Sequence, residues 1–306
     1  MTAHFTARGA PTIGIDTGGT FTDFVLVEGG EMRFEKVPST PDDPARALLD
    51  GLQRLGVAAR PAHVVHGTTV ALNALLTGAL ARTALVVNAG FADLIEIGRQ
   101  DRPELYALHP LKTREIVPRE LRFEIEQRSQ PELGSRVLEH TRRPTRADLA
   151  RLVRKVAAAK PEAIAVCLLH SYADPSIERE VAQALHSLGV PITCSAALVR
   201  EHREFERFST AVVNAALVPV VRGYLERLAV SLPHARLQLL RSSGGTISAA
   251  RAALEPVRVL THYESDYGAA CKTHYTKDQV VTAVVPNLAC SKWQGFRGKI
   301  VGAPSY

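Results

Sequence analysis

The sequence predicts an α/β protein that begins with a three-stranded antiparallel meander and continues with alternating strands and helices. The meander is predicted by three apolar segments, which are separated by Gly18-Gly19 and by Gly29-Gly30. Behind it, short apolar runs alternate with amphipathic segments of about 10–15 residues, a pattern typical of βαβ units. With 306 residues, the chain is long enough for two domains with separate cores.

The individual elements follow from periodicity and from residues that begin or end helices. Alternating or β-branched apolar runs predict strands, and a 3.6-residue apolar repeat predicts a helix. Asp43 or Pro44 begins the first helix and Gly56 ends it, whereas Thr145 caps a later one. The predicted strands are residues 12–17, 21–28, 32–38, 64–65, 84–87, 119–127, 136–140, 163–169, 191–194 and 237–240. The predicted helices include residues 44–55, 71–76, 149–156, 177–188 and 200–207.

Composition and charge argue against several classes of protein. The chain has 46% hydrophobic and 22% charged residues, as in ordinary globular proteins. The net charge of +6 is spread along the chain, so we expect no nucleic-acid partner, although a basic surface suits an anion such as ATP. No apolar stretch reaches the length of a membrane span, and no leader pattern is present. We therefore expect no membrane partner and a cytoplasmic location.

Cysteine and histidine spacing predicts no transition-metal site. The four cysteines lack CxxC spacing, and two lie in apolar strand-like runs, which favours buried reduced thiols. The histidines at positions 109, 140, 170 and 202 have no carboxylate or cysteine at ligand spacing. Mg²⁺ that arrives with ATP needs only one or two carboxylates and is compatible with the sequence.

The most informative segment, residues 16–23, reads Asp-Thr-Gly-Gly-Thr-Phe-Thr-Asp between two apolar strands. The glycines remove side chains at a hairpin turn, so backbone N–H groups can approach an anion closely. Hydroxyl donors and carboxylate oxygens in the same loop suit a phosphate group with Mg²⁺. The alternative is an ordinary Gly-Gly hairpin between core strands. The candidates are Thr17, Gly18, Gly19 and Thr20 for nucleotide phosphate, Asp16 and Asp23 for catalysis, and Asp16 also for Mg²⁺.

This loop is neither a Walker loop nor a dinucleotide fingerprint, because no Gly-Lys-Ser/Thr follows and the next element is a strand. It resembles the first phosphate loop of the actin and sugar-kinase ATPase superfamily. Five further motifs follow in order, at residues 66–75, 90–100, 102–106, 203–215 and 242–245. Together these motifs resemble the hydantoinase A/5-oxoprolinase family, from about residue 12 to about residue 258. The resemblance implies a ribonuclease-H-like, actin-type ATPase lobe.

The resemblance also implies a function: ATP-dependent hydrolysis of a cyclic amide of the hydantoin or 5-oxoproline type, through phosphorylation of the amide oxygen. ATP and Mg²⁺ are the implied cofactors, and a hydantoinase B-type subunit is a compatible partner. Two other functions stay open. One is a ketone carboxylase subunit with the same ATP chemistry, and the other is a non-catalytic nucleotide-binding or assembly fragment.

Residues outside the first loop are candidates for the substrate side. The segment from His66 to Thr69 lies where a strand ends and a helix begins, so its N–H groups and hydroxyls can hold an anion or a carbonyl. The alternative is that a threonine merely caps the helix. Residues 200–207 alternate in charge and predict a helix with a solvated face. Residues 242–246 are either a second ligand loop or a strand-ending turn. The substrate-facing candidates are His66, Gly67, Thr68, Thr69 and Arg99.

Basic-residue usage changes near Leu260. Residues 1–260 contain 28 Arg and 4 Lys, whereas residues 261–306 contain 1 Arg and 4 Lys. The second Asp-x-Gly-Gly-Thr loop of the family does not follow, so we expect a frameshift or fusion junction, in preference to a lineage-specific extension. Because actin-type enzymes close two phosphate loops around the nucleotide, we expect little activity from this chain alone. The predicted regions are an N-terminal family domain at 1–195, the start of the second family domain at 196–260 and an aberrant tail at 261–306.

Overall fold

The computed structural model describes residues 10–40, 43–58, 60–100, 106, 108, 115–131 and 138–260. These residues form two compact units: one contains the residues up to Ala81 and those from Ala216 onward, and the other contains Arg82–Ala215. Along the chain, the second unit is thus an insertion in the first. The predicted boundary near residue 195 stays a prediction from motifs. The expectations for residues 261–306 lie outside the described residues.

The described chain begins with three consecutive strands and continues with strands and helices that mostly alternate. The strands are β1 (Thr12–Thr17), β2 (Phe21–Glu28), β3 (Glu31–Pro38), β4 (Ala62–Thr68), β5 (Thr83–Asn88), β6 (Arg122–Ile125), β7 (Arg128–Pro131), β8 (Leu138–Arg142), β9 (Ala163–Cys167), β10 (Ile192–Cys194), β11 (Ala235–Leu240) and β12 (Thr246–Ser248). The α-helices are α1 (Pro44–Arg54), α2 (Val70–Thr77), α3 (Leu94–Ile97), α4 (Arg146–Ala158), α5 (Ser176–Leu185), α6 (Ser195–Leu198), α7 (Glu204–Ser231) and α8 (Ala249–Leu254).

The first unit is built on a six-stranded sheet with the strand order β12-β11-β4-β1-β2-β3. β1, β2 and β3 form the predicted antiparallel meander, while β4 runs parallel to β1 and β11 runs parallel to β4. The carboxyl ends of β1, β4 and β11 therefore lie together, at what we call the carboxyl edge. Ligands of open α/β sheets bind at such edges.

Helix α1 packs directly on the meander. Asp43 caps the helix by accepting a hydrogen bond from the Ala45 N–H, and Pro44 occupies its first position. A Cβ on Gly51 would lie 2.2–2.7 Å from ring atoms of Phe24, so this glycine allows the helix backbone to contact the sheet. Because strand side chains alternate, the face of the meander opposite Phe24 is the face on which the carboxylate candidates lie.

The second unit contains a four-stranded parallel sheet with the order β10-β9-β5-β6. β5 and β9 are buried along their whole length, as expected of parallel strands that are covered on both faces. Alternate residues pack against the start of α7 on one face and against α4 and α5 on the other. Thr145 forms the predicted cap of α4, in a capping box with Asp148.

Helix α7 is longer and more deeply buried than the sequence predicts. The predicted solvated face is wrong for Arg207, whose buried guanidinium donates to the Leu168 carbonyl at 2.7 Å and to the Ser195 hydroxyl at 3.1 Å. By length and composition alone, α7 is the one helix among the described residues that could cross a membrane. In the structure, 78% of its most apolar window is buried inside the protein, so it packs as a core helix.

Candidate functional site

The Gly-Gly turn (residues 18–20) connects β1 to β2 at the carboxyl edge of the first unit. The hairpin pairs Asp16 with Asp23, and the Gly18 N–H donates to the Phe21 carbonyl at 3.0 Å. The predicted hairpin is therefore present. Its turn lies beside the end of β4, because β1 and β4 are paired up to their last residues.

The two glycines of the turn serve different needs. A Cβ on Gly18 would lie 3.1 Å from the Phe21 carbonyl oxygen, so the turn itself favours glycine there. At Gly19, which is exposed, a Cβ would find no non-neighbouring described atom within 4 Å, and φ is not positive. The local fold therefore does not require glycine at position 19. An open position of this kind lets backbone N–H groups meet a ligand.

Ser39, just beyond β3, holds the Gly-Gly turn in place. Its hydroxyl donates to the Gly18 carbonyl at 2.8 Å and lies 3.0 Å from the Thr22 hydroxyl, and its N–H donates to the Thr20 carbonyl at 2.9 Å. Sequence reasoning missed Ser39. The signal was available, because the third strand of a meander ends at the edge where the first turn lies.

Asp16 and Asp23 lie directly opposite each other on one face of the hairpin, and both are exposed. Asp23 forms an ion pair with Lys36 at 2.9 Å. On the other side of Asp16, a Cβ on Gly67 would lie 3.1 Å from Asp16 Oδ1 and 3.2 Å from Leu240 Cδ1. Gly67 was predicted to face the substrate; in the structure it is buried and leaves room for the Asp16 carboxylate.

His66 was also predicted to face the substrate, but it is fully buried in β4, where it cannot contact a surface ligand. Its Nε2 lies 2.7 Å from the Tyr224 hydroxyl. Burial lowers the pKa of His66 to about 4, so the ring is neutral at neutral pH, and burial raises the pKa of Tyr224. The backbone of Ile15, on the neighbouring strand β1, raises the pKa of His66, but this effect is smaller than that of burial.

Helix α2 begins immediately after β4, so its N-terminus also lies at the carboxyl edge. Thr69 occupies the N-cap position, but within the described residues its side chain makes no capping hydrogen bond. Its hydroxyl donates instead to the Thr17 carbonyl at 3.3 Å, while the Thr68 hydroxyl accepts from the Val70 N–H at 3.3 Å. The Thr68 hydroxyl thus bonds the first N–H of α2, whereas the Thr69 hydroxyl joins α2 to the last residue of β1, next to the Gly-Gly turn.

The loop after β11 is a turn at the same edge. The Arg241 N–H donates to the Gly245 carbonyl, and the Gly244 N–H donates to the Arg241 carbonyl, both at 3.0 Å. Gly244 and Gly245 have φ values of +87° and +74°, which glycine adopts at little cost. The Ser242 hydroxyl donates to the Leu260 carbonyl at 2.6 Å. Of the two interpretations of residues 242–246, this geometry favours a strand-ending turn.

Arg99 belongs to the second unit, whereas the Gly-Gly turn belongs to the first. Its Nε donates to Glu206 Oε1 at 2.7 Å, and the Glu206 side chain is only 7% exposed. The positive charge of Arg99 is thus engaged within the second unit. The adjoining residues 101–105 lie outside the described residues.

Two protein-family models match the chain. The hydantoinase/oxoprolinase N-terminal region matches residues 12–189, and the hydantoinase/oxoprolinase model matches residues 207–261. The chain belongs to the hydantoinase/oxoprolinase family. This confirms the resemblance on which the sequence analysis relied. The first match includes the Gly-Gly turn and α2, and the second includes β11, so the carboxyl edge of the first unit lies within the matched residues.

Relatives in this family include ATP-dependent enzymes that act on different substrates. The chain is 33% identical to the caprolactamase subunit alpha of Pseudomonas jessenii over 71% of its own length and 32% of that subunit. It is 27% identical to the 5-oxoprolinase of Saccharomyces cerevisiae over 78% of its length and 22% of that enzyme. The chain spans about a third, or less, of the length of these relatives.

Solved structures of the family confirm the predicted fold class, an α/β fold of the actin-type ATPases. The ATP-dependent caprolactamase from Pseudomonas jessenii matches with a TM-score of 0.66 and 31% identity, over 78% of this chain and 36% of the other. Nucleotide-free acetone carboxylase, described with its ATP-dependent carboxylation, matches with a TM-score of 0.69 and 24% identity, over 82% of this chain and 38% of the other. The second likeness concerns the fold alone.

Proposed function

We propose that this chain provides the ATP phosphate-binding part of an enzyme that hydrolyses a cyclic amide by phosphorylating the amide oxygen. The observation that carries the proposal is Gly19, an exposed glycine that the local fold does not require. It lies at an edge where a hairpin turn and the N-terminus of α2 come together. A ligand that approaches the backbone N–H groups accounts for such a glycine.

The residues at this edge fit the phosphates of ATP. The Gly-Gly turn offers backbone N–H groups, the side chain of Thr20 is exposed, and the buried Thr17 hydroxyl has no hydrogen-bond partner among the described residues. Ser39 bonds the turn itself and Thr69 bonds the end of β1 that leads into it, so the donors of the turn are positioned before a ligand arrives. Phosphoryl transfer depends mainly on such positioning and on neutralisation of charge.

The carboxylates fit a Mg²⁺ ion that is shared with phosphate. Within the described part of the chain, no group of three or more His, Cys, Asp or Glu could hold a metal ion. Mg²⁺ needs only one or two carboxylates when phosphate and water supply its other oxygens. We assign this role to Asp16, for which Gly67 leaves room. Asp23, which forms an ion pair with Lys36, is assigned to orienting the water or the substrate.

An amide carbonyl is a poor electrophile, and bound ATP supplies the phosphoryl group that turns the amide oxygen into a leaving group. The role of this chain would be to position the phosphates next to that oxygen and to balance their charge. Thr69 is the predicted substrate-side residue that stays partly exposed and contacts the end of β1, where the Gly-Gly turn begins. We therefore place the amide next to Thr69.

A cyclic amide is preferred because the sequence identity to the caprolactamase subunit alpha, at 33%, is higher than that to the acetone carboxylase beta subunit, at 29%. A ketone carboxylase subunit stays the second candidate, since the acetone carboxylase beta subunit of Xanthobacter autotrophicus is 29% identical over 79% of this chain and 37% of that subunit. A partner subunit is part of the proposal because the caprolactamase relative is named as a subunit. Phosphate release from the chain with its partner, measured with a lactam or with a ketone plus bicarbonate, separates the two functions.

Calorimetric titration with Mg-ATP tests the phosphate site itself. Gly19→Val is expected to fold, because the position is open, and to lose binding by at least about ten-fold, because the side chain stands where phosphate approaches. Gly14→Ala, in the strand β1 that precedes the turn, is the control: its Cβ would have one ordinary contact, 4.0 Å from the Val25 carbonyl oxygen. Equal binding by Gly19→Val and wild type would contradict the proposal.

A further inference from the structure

Two buried polar atoms without partners lie at the carboxyl edge of the first unit. Among the described residues, four buried side-chain atoms lack a hydrogen bond, and two of these are Thr17 Oγ1 and Arg241 Nε. Thr17 ends β1 and Arg241 directly follows β11, and β4 lies between these two strands. Because buried polar groups in native proteins are almost always paired, these two atoms indicate a missing hydrogen-bond partner at this edge.

The sheet register brings these two residues to the same level. Thr17 pairs with Thr68 on β4, and two residues earlier His66 pairs with Leu239 on β11. Arg241, two residues after Leu239, therefore reaches the level of Thr68. Two strand spacings place the backbones of Arg241 and Thr17 about 10 Å apart, within reach of an extended arginine and a bridging ligand.

The chemistry of the two atoms selects an anion. The Nε of arginine can only donate a hydrogen bond, and a threonine hydroxyl can donate to an acceptor. The nearby N-terminus of α2 adds positive potential. Asp16 and Asp23 lie on the opposite face of the hairpin, since strand side chains alternate, so they do not occupy this position.

We propose that Arg241 and Thr17 form an oxyanion-binding subsite, in which Arg241 donates to a phosphate or a carboxylate oxygen. This inference rests on the proposed function, because it extends the same edge from β1 across β4 to β11. The turn after β11 fixes the backbone of Arg241 through its bonds with Gly244 and Gly245, so the guanidinium starts from a rigid base. The sequence analysis noted the neighbouring serines and glycines and overlooked Arg241.

Binding measurements with three probes test the subsite: Mg-ATP, inorganic pyrophosphate and 5-oxoproline. Arg241→Gln is expected to weaken at least one of them by about ten-fold or more, since a charged hydrogen bond is lost. Weaker binding of pyrophosphate and ATP identifies phosphate as the source of the oxyanion. Weaker binding of 5-oxoproline alone identifies a carboxylate. Arg236→Gln, an exposed position on the same strand, is the matched control and should bind all probes as wild type does.

Two further variants keep the test decisive if Arg241→Gln does not fold. Arg241→Lys keeps the charge and should retain part of the affinity, whereas Thr17→Val keeps the shape of the side chain and should lose affinity for the same probe. Unchanged binding of every probe by the folded variants overturns the subsite. If Gly19→Val loses affinity for ATP but the Arg241 and Thr17 variants bind every probe as wild type does, the subsite is wrong and the proposed function stands. If no ATP or pyrophosphate binds but 5-oxoproline binding depends on Arg241, the proposed function fails alone.

Discussion

Lowering the pH from 7 to 5 is expected to destabilise the first unit through His66. The ring is fully buried beside Tyr224, and burial lowers its pKa in the folded chain to about 4, whereas 6.5 is its ordinary value. The unfolded chain therefore takes up a proton first as the pH falls. The stabilisation is fully present above about pH 6.5 and is lost progressively as the pH approaches 4.

The magnitude follows from the two pKa values. The gap between 6.5 and about 4 corresponds to about 3 kcal/mol of unfolding free energy at low pH. About 2 kcal/mol of this develops between pH 7 and pH 5, which is a large fraction of a typical domain stability.

Urea unfolding at pH 7 and pH 5 measures the effect. Wild type should lose about 2 kcal/mol more between these pH values than His66→Gln does, because glutamine takes up no proton. His63→Gln, at a partly exposed position on the same strand, should keep the wild-type pH dependence. The same loss of stability in His66→Gln as in wild type would refute the buried neutral state of His66.

Two further predictions concern the residues that hold the site. Ser39→Ala removes the hydroxyl that bonds Gly18 and Thr22; unfolding experiments should show a loss of about 1–3 kcal/mol, and calorimetry several-fold weaker Mg-ATP binding. Unchanged Mg-ATP binding would mean that the Ser39 hydroxyl does not position the Gly-Gly turn. Gly67→Ala pushes a methyl group toward the Asp16 carboxylate, so the dependence of ATP binding on Mg²⁺ should shift to higher Mg²⁺ concentration. An unaltered Mg²⁺ titration would remove Asp16 from that role.

The sequence predicted the parts of the fold that depend on local patterns. The meander, the cap at Thr145 and the buried strands β5 and β9 follow from glycine turns, a capping residue and apolar runs. The segment after β5 was less predictable: residues 119–127 read as one strand, whereas Arg119–Leu121 is a short 3-10 helix and the strand begins at Arg122. Contacts of the buried Arg122 guanidinium with Glu96 and Glu115 decide this boundary, and no local pattern encodes them.

The candidate site was predicted only where residues are neighbours in sequence. The Gly-Gly turn was recognisable from eight consecutive residues, and the predicted meander could have led to Ser39. Arg241, however, reaches the same edge through the order of β1, β4 and β11, which the sequence does not state. His66 was misplaced for a related reason. Alternation along β4 puts its side chain in the core with Tyr224, and the partner comes from a helix 158 residues away along the chain.

A crystal structure of the chain with Mg-ADP or a non-hydrolysable ATP analogue tests the central claim most directly. We expect phosphate oxygens within about 3 Å of the backbone nitrogens of Gly19 or Thr20, with the metal ion on the Asp16 side of the hairpin. Nucleotide phosphates bound away from the Gly-Gly turn, with Gly19 left open to solvent, would contradict it.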